Sequence, residues 1–149
     1  MESMNLCDHN VWLALVLPAH KHHAVARAWW EGLSVERGLF CRSTQQGLLR
    51  LLTTQAVLQP YGLPARTQAQ AWEIYHRLIS DPCVGFLAEP TGVEETWEKL
   101  SSRESASPKL WMDAYLAAFA IQGECNLVTF DQAFLQFESY GLHLKVLEK

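Results

Sequence analysis

No run of apolar residues in this chain is long enough to cross a bilayer, although 49% of its 149 residues are hydrophobic. The amino terminus also lacks the basic segment, long apolar segment and small-residue cleavage site of a secretory signal, so a cytoplasmic protein with no membrane association is expected. Cysteine is sparse: the four residues form no closely spaced pair of the kind that marks zinc or redox motifs. Cys7, Cys41 and Cys83 fall in stretches predicted to be strands and Cys125 directly precedes one. They read as small reduced core residues, not as a disulfide framework. Positive charge is not in excess, with 12 Lys and Arg against 16 Asp and Glu and a net charge of −4. That excludes the broad electrostatic attraction to nucleic acid shown by basic architectural proteins. It leaves room for a nucleic-acid enzyme, because clustered carboxylates lower the charge of a metal-free protein while Arg42, Arg50, Arg103 and Lys109 can supply local positive potential around a cleft. Solvated surface is the default use of each of those four. There is no internal repeat, low-complexity tract or linker, and the length suits one domain over residues 1–149 with a real core.

What the chain does contain is an alternation. Strands are predicted at Met4–Cys7, Gly38–Arg42, Cys83–Ala88, Leu127–Phe130 and Leu142–Leu147, separated by stretches of helical length and period, which predicts α/β architecture with a largely parallel sheet. Val11–Leu17 reads as a short helix that Pro18 helps to end. His22–Leu33 reads as a second, with Ala24, Ala28 and Leu33 turned inward and Glu31 to water. After the second strand, Ser43 or Thr44 can cap a helix carrying Leu48, Leu49, Leu51 and Leu52. Pro60–Pro64 is a loop, and Arg66–Ile79 resumes a helical pattern through Ala69, Trp72, Tyr75, His76 and Ile79. Gly92–Leu100 is amphipathic, and Ser101–Ser107 is polar and expected to be mobile. Ser107-Pro108 supplies a cap and a first-turn proline for a helix reaching about Gly123. Leu110, Asp113, Ala114, Ala117, Ala118 and Ile121 share one face of it, and the alanines permit close approach to the sheet.

Three acidic residues stand out in this frame. Asp8 and Asp131 directly follow the first and fourth predicted strands, at the sheet edge where open parallel sheets collect ligands. Taken singly, each is more often a helix cap than a ligand. Asp113 fits capping poorly, since it is expected beyond the first turn on an apolar face, where an unpaired charge is costly to bury. Two carboxylates about 4 Å apart repel by roughly 4 kcal/mol at an effective dielectric near 20. A cluster would therefore protonate or open unless a cation joined it. Oxygen donors suit Mg²⁺ or Mn²⁺ better than zinc, and such an ion lowers the pKa of water and stabilises charge on an attacked phosphodiester.

The segments Asp8-His9-Asn10, Asp113-Ala114-Tyr115-Leu116-Ala117-Ala118-Phe119-Ala120 and Leu127-Val128-Thr129-Phe130-Asp131-Gln132-Ala133-Phe134 are each weak signals. In this order and separation they make the chain resemble the PIN-domain nucleases, and more narrowly the VapC-type ribonuclease toxins of toxin–antitoxin modules, over nearly its whole length. The resemblance implies a three-layer α/β/α domain with a mostly parallel sheet of about five strands. It also implies a Mg²⁺- or Mn²⁺-dependent endoribonuclease acting on RNA, with Asp8, Asp113 and Asp131 as catalytic metal ligands, an inhibitory antitoxin partner and often a homodimer. Asn10 and Thr129 match polar positions of the motifs and would orient Asp8, Asp131 or water; local turn chemistry explains them equally well. One departure is marked. Where many family members carry a glutamate this chain has Gln45-Gln46-Gly47. Gln46, the best match by spacing, can hydrogen-bond a hydrated ion or an RNA backbone but brings no charge, so a second metal should bind more weakly; alternatively it is an ordinary polar residue of the first turn. That loss favours a rival reading, a catalytically degenerate PIN-like protein-binding module. A phosphatase-like enzyme fits less well, because Asp8-His9-Asn10 lacks the second aspartate that such enzymes use as an acid.

The remaining candidates have plainer expectations. His20, His22 and His23 follow Pro18 in a turn with no acidic ligand beside them and are expected at surface or cap positions. His9 is set aside as a general base because strand-to-helix geometry can point it away from the carboxylates. Trp29, Trp30, Trp72, Trp97 and Trp111 are expected to pack in cores and interfaces, with base stacking as the alternative. Trp29 and Trp30 cannot both face one core from a helix, so at least one is expected at a dimer or antitoxin surface.

Overall fold

A computed structural model of the chain describes residues 4–33 and 37–148. Five strands, β1 (Met4–Cys7), β2 (Arg37–Phe40), β3 (Val84–Phe86), β4 (Asn126–Thr129) and β5 (His143–Val146), form a wholly parallel sheet in the order β3-β2-β1-β4-β5. The helices are α1 (His9–Val16), α2 (His23–Glu31), α3 (Arg42–Leu52), α4 (Gln55–Leu58), α5 (Gln68–Ile79), α6 (Val93–Ser101) and α7 (Leu110–Gln122). Together with the sheet they make the three-layer α/β/α arrangement, and β1 at its centre puts Asp8 at the middle of the carboxyl edge.

The period of two along each strand divides the interior into two cores. Cys7, Phe40 and Val128 point to one face, where they meet Trp12, Leu48, Leu52 and Tyr75 from α1, α3 and α5. Their neighbours Leu6, Leu39 and Leu127 point to the other face, against Ala114, Ala117, Ala118 and Phe119 of α7. The first core is filled with rings: Trp12 stacks on Phe40 at 4.1 Å between centroids, and Trp30 lies 5.8 Å from Trp12. A Cβ on Gly38 would collide with the Trp30 ring, so the glycine is what lets that indole reach the sheet. The second core also takes Phe134 and Phe137 from a 3₁₀ segment, Gln132–Tyr140. Residues three apart fall on one side of a three-residue turn, which is why that pair can be buried together.

Several boundaries differ from expectation for local reasons. β2 stops at Phe40 because Cys41 turns out as the residue before α3, its N–H donating to Thr44 Oγ1 at 2.9 Å. Thr44 thus helps close the helix start from inside the first turn. β3 is limited to Val84–Phe86, which leaves Cys83 exposed and not a core residue. On α2 the buried alanine is Ala26, whereas Ala24 and Ala28 are exposed. α5 begins at Gln68 behind a Thr67–Gln70 capping box and buries Ala71 and Tyr75, which leaves Ala69, Trp72 and His76 outside. α7 starts at Leu110, with Ser107 and Pro108 in the preceding turn. Among the described residues, no helix is long and apolar enough to cross a membrane.

Candidate active site

Asp8 is 3% exposed and leaves β1 with its own N–H still paired to Val128 O at 2.8 Å. Its side chain caps α1. Asp8 Oδ1 accepts from His9 N at 2.8 Å and lies 2.9 Å from His9 Nδ1, while Asp8 Oδ2 accepts from Thr129 Oγ1 at 2.8 Å. The Thr129 hydroxyl is fully buried and also accepts the Asp131 N–H at 3.0 Å and, at 3.5 Å, Asn10 Nδ2. Asn10 Oδ1 takes the Phe130 N–H at 3.4 Å. One hydroxyl therefore joins the exit of β1 to the exit of β4, and Asn10 clamps the turn between them.

Asp113 approaches from the opposite layer. It lies in the first turn of α7, not beyond it, half-buried on the face that the alanines bring close to the sheet. Burial first, then the charges of Asp131 and Asp8, push its carboxyl above the ordinary range; His9 offsets this in part. Asp131 is exposed and caps the 3₁₀ segment through Ala133 N at 2.9 Å. The capping expectation thus describes Asp8 and Asp131 and fails for Asp113.

Asp8 and Asp113 line one cavity of about 190 Å³, with His9, Gln46, Gly47 and Arg50. Asp131 opens instead onto a separate cavity of about 840 Å³ that is also lined by Asn10, His20, Lys21 and His22. Two of the three acids share a chamber and the third stands at the other, close enough in charge to act on Asp113. Among the described residues, no group of three or more His, Cys, Asp or Glu side chains is drawn together tightly enough to hold a metal ion. The donors are all hard oxygens, a chemistry that fits Mg²⁺ or Mn²⁺.

Gln46 lies in the second turn of α3, exposed at the cavity rim, whereas Gln45 is buried and accepts from Arg42 at 2.6 Å. His9 does face Asp8, contrary to expectation. A Cβ at Gly47 would come within 2.8 Å of His9 Cβ, so the Gln45-Gln46-Gly47 glycine makes room for the imidazole. The glycine itself was the missed signal, since a Gly in a helix interior costs about 1 kcal/mol unless something must approach closely. His20, His22 and His23 are half-buried: His23 Nδ1 lies 2.7 Å from Ala14 O and His22 stacks on Phe130. Trp29 and Trp30 both pack against the first core, contrary to the expectation that they cannot share one, and each stays only partly buried; Trp72 and Trp111 are more exposed.

The PIN-domain family model matches residues 6–139. Ribonuclease VapC41 of Mycobacterium tuberculosis is 47% identical over 148 residues, covering 98% of this chain and 100% of the relative. Two solved structures share the fold. M. tuberculosis VapC20, a sarcin–ricin loop cleaving toxin, aligns with a TM-score of 0.62 at 17% identity over 93% of this chain and 95% of that one. VapBC2 from Rickettsia felis, bound to a DNA fragment from its promoter, aligns with a TM-score of 0.63 at 12% identity over 97% and 99%.

Proposed function

Since this chain belongs to the PIN-domain family, and within it to the VapC-type toxin–antitoxin ribonucleases, we propose that it is a divalent-metal-dependent endoribonuclease that hydrolyses RNA phosphodiesters. It acts in the cytoplasm as one domain over residues 1–149, as the toxin of a pair whose antitoxin restrains it, and it pairs with a second copy of itself. The observation that carries the metal reading is Asp113: a half-buried carboxyl raised by burial and by two other acids is a poor structural element and a good cation ligand.

Asp8, Asp113 and Asp131 would hold Mg²⁺ or Mn²⁺ directly or through water. When bound, the ion makes water a better nucleophile and offsets charge on the attacked phosphodiester. The chain's own residues do the rest. Thr129 fixes Asp8 from behind, and Asn10 and Thr129 together fix the turn that carries Asp131. Gln46 at the rim offers an amide to the RNA backbone, and Arg50 beside it offers a cation to a phosphate. With water, not the ribose 2′-hydroxyl, as nucleophile, the products carry 5′-phosphate and 3′-hydroxyl ends.

The test compares wild type with Asp8→Asn and Asp113→Asn on structured and unstructured RNA, in Mn²⁺, Mg²⁺ or chelator, with the cleaved ends mapped. Wild-type cleavage that needs metal and disappears in both variants supports the reading; cyclic 2′,3′-phosphate ends reject the mechanism. The rival, a degenerate module that only binds a protein partner, is favoured by Gln46 and by the looseness of the acidic group. Inactivity of wild type in every metal, with a partner still bound, would select it.

A further inference from the structure

The catalytic cavity has a second exit. Gln46 and Arg50, which rim the chamber of Asp8 and Asp113, also line a further cavity of about 300 Å³ that runs along α3 to α5. Gln46, Arg50 and Thr53 lie at i, i+4 and i+7, so they form one outward ridge of α3. Leu49 and Ala71 make an apolar floor, and Trp72 of α5 stands at the far end. Trp72 is 45% exposed and its ring is supported: His76 stacks on it at 5.6 Å and 22°, and Tyr75 meets it edge-on at 6.1 Å. Arg50 is the only charged side chain in this lining, and it is positive.

A braced aromatic face, an apolar floor and a lone cation, continuous with a phosphodiester-cleaving site, have the composition of a single-strand subsite: a base stacks on the ring while the cation meets the phosphate. We propose that the Arg50–Trp72 groove holds the nucleotide next to the scissile phosphate, so that the substrate is single-stranded or locally unpaired at that position. This rests on the nuclease reading above and names how that site takes its substrate.

The experiment measures binding of a fluorescently labelled single-stranded RNA to the full chain carrying Asp113→Asn, in chelator, so that neither cleavage nor metal enters. Trp72→Ala should weaken binding about tenfold and Trp72→Phe by no more than about threefold, because a phenyl face still stacks. Arg50→Ala should weaken it and lower the slope of log affinity against log salt by about 0.7. Trp111→Ala, at a more exposed tryptophan lining a different groove, should change nothing. Parental RNA affinity in a folded Trp72→Ala variant overturns the proposal, as does loss of a co-purifying protein without loss of RNA affinity. A wild-type chain that cleaves no RNA while Trp72 still governs binding would overturn the nuclease reading and the placement beside a scissile phosphate, leaving a single-strand binding groove alone.

Discussion

The two sides of the acidic site are built on opposite principles. On the sheet side, Asp8 is buried and each of its two oxygens accepts a hydrogen bond, from His9 and from Thr129, which holds the carboxylate in place and leaves lone pairs for a cation. On the α7 side, Asp113 is half-buried in the first helical turn and is pressed by like charges. Asp131 lies between these extremes, exposed, with one cap bond. The contrast predicts that removing a carboxylate has opposite consequences for stability on the two sides, while under the proposed function both removals should abolish RNA cleavage. Separating stability from activity therefore tells which side a residue serves.

The largest effect belongs to Asp8. Asp8→Ala removes the cap of α1 and leaves the buried Thr129 hydroxyl without its acceptor, which together should cost about 2–4 kcal/mol in urea unfolding and eliminate RNA cleavage. Asp131→Ala should also eliminate cleavage yet cost less than about 1 kcal/mol, because its cap is exposed. Equal losses of stability would break the comparison. Next comes Thr129→Val, which keeps the volume and deletes the hydroxyl that joins the two strand exits. Stability should fall by about 1–3 kcal/mol and activity by roughly 10- to 100-fold. Thr129→Ser should recover most of both.

Much of this was legible in the sequence because it depends on short-range rules. Leu6 and Leu127 flanking Cys7 and Val128 give the strand period, and an aspartate directly after each run gives the carboxyl edge. Other features depend on what another layer supplies. The buried stripe of α5 lies at Ala71 and Tyr75 and not at Trp72, because Phe40 and Leu48 decide which side faces in. Cys83 reads as core from its place in an apolar run, but it stands at the start of a short edge strand: its carbonyl still accepts the Gly38 N–H at 2.9 Å while its side chain is left exposed. The contact of His9 with Gly47 joins α1 to α3 across a distance in sequence that no local pattern spans. Thr129 was visible as a polar residue ending a strand; that its hydroxyl reaches Asp8 was not.

Asp113→Asn gives a smaller effect of opposite sign. Its carboxyl is raised in the fold relative to the unfolded chain, so ionising it works against folding. Below the ordinary carboxylate range both states are protonated and the substitution should be neutral. As pH rises through that range the wild type loses stability relative to the variant, and the full difference is present above the raised pKa. At pH 7 in chelator the variant should melt higher, by less than about 4 °C, since the group is only half-buried. Adding Mn²⁺ should raise the wild-type melting temperature and close the gap. A variant that melts lower at every pH would place Asp113 with Asp8 as a structural residue.

Gln46→Glu should have the mildest consequence for the fold and the most specific one for the site. The position is exposed at the rim of the Asp8–Asp113 cavity, so a carboxylate there is well solvated. It also stands four residues before Arg50, the favourable order for a helical ion pair worth about 0.3–0.5 kcal/mol, which offsets repulsion from the existing acids. The unfolding midpoint in chelator should therefore barely move. Divalent affinity, read by calorimetry or by the metal-dependent rise in melting temperature, should tighten roughly three- to tenfold as the added charge joins Asp8 and Asp113. Unchanged affinity would mean that the α3 rim serves the RNA alone and that the ion is confined to the strand exits and α7.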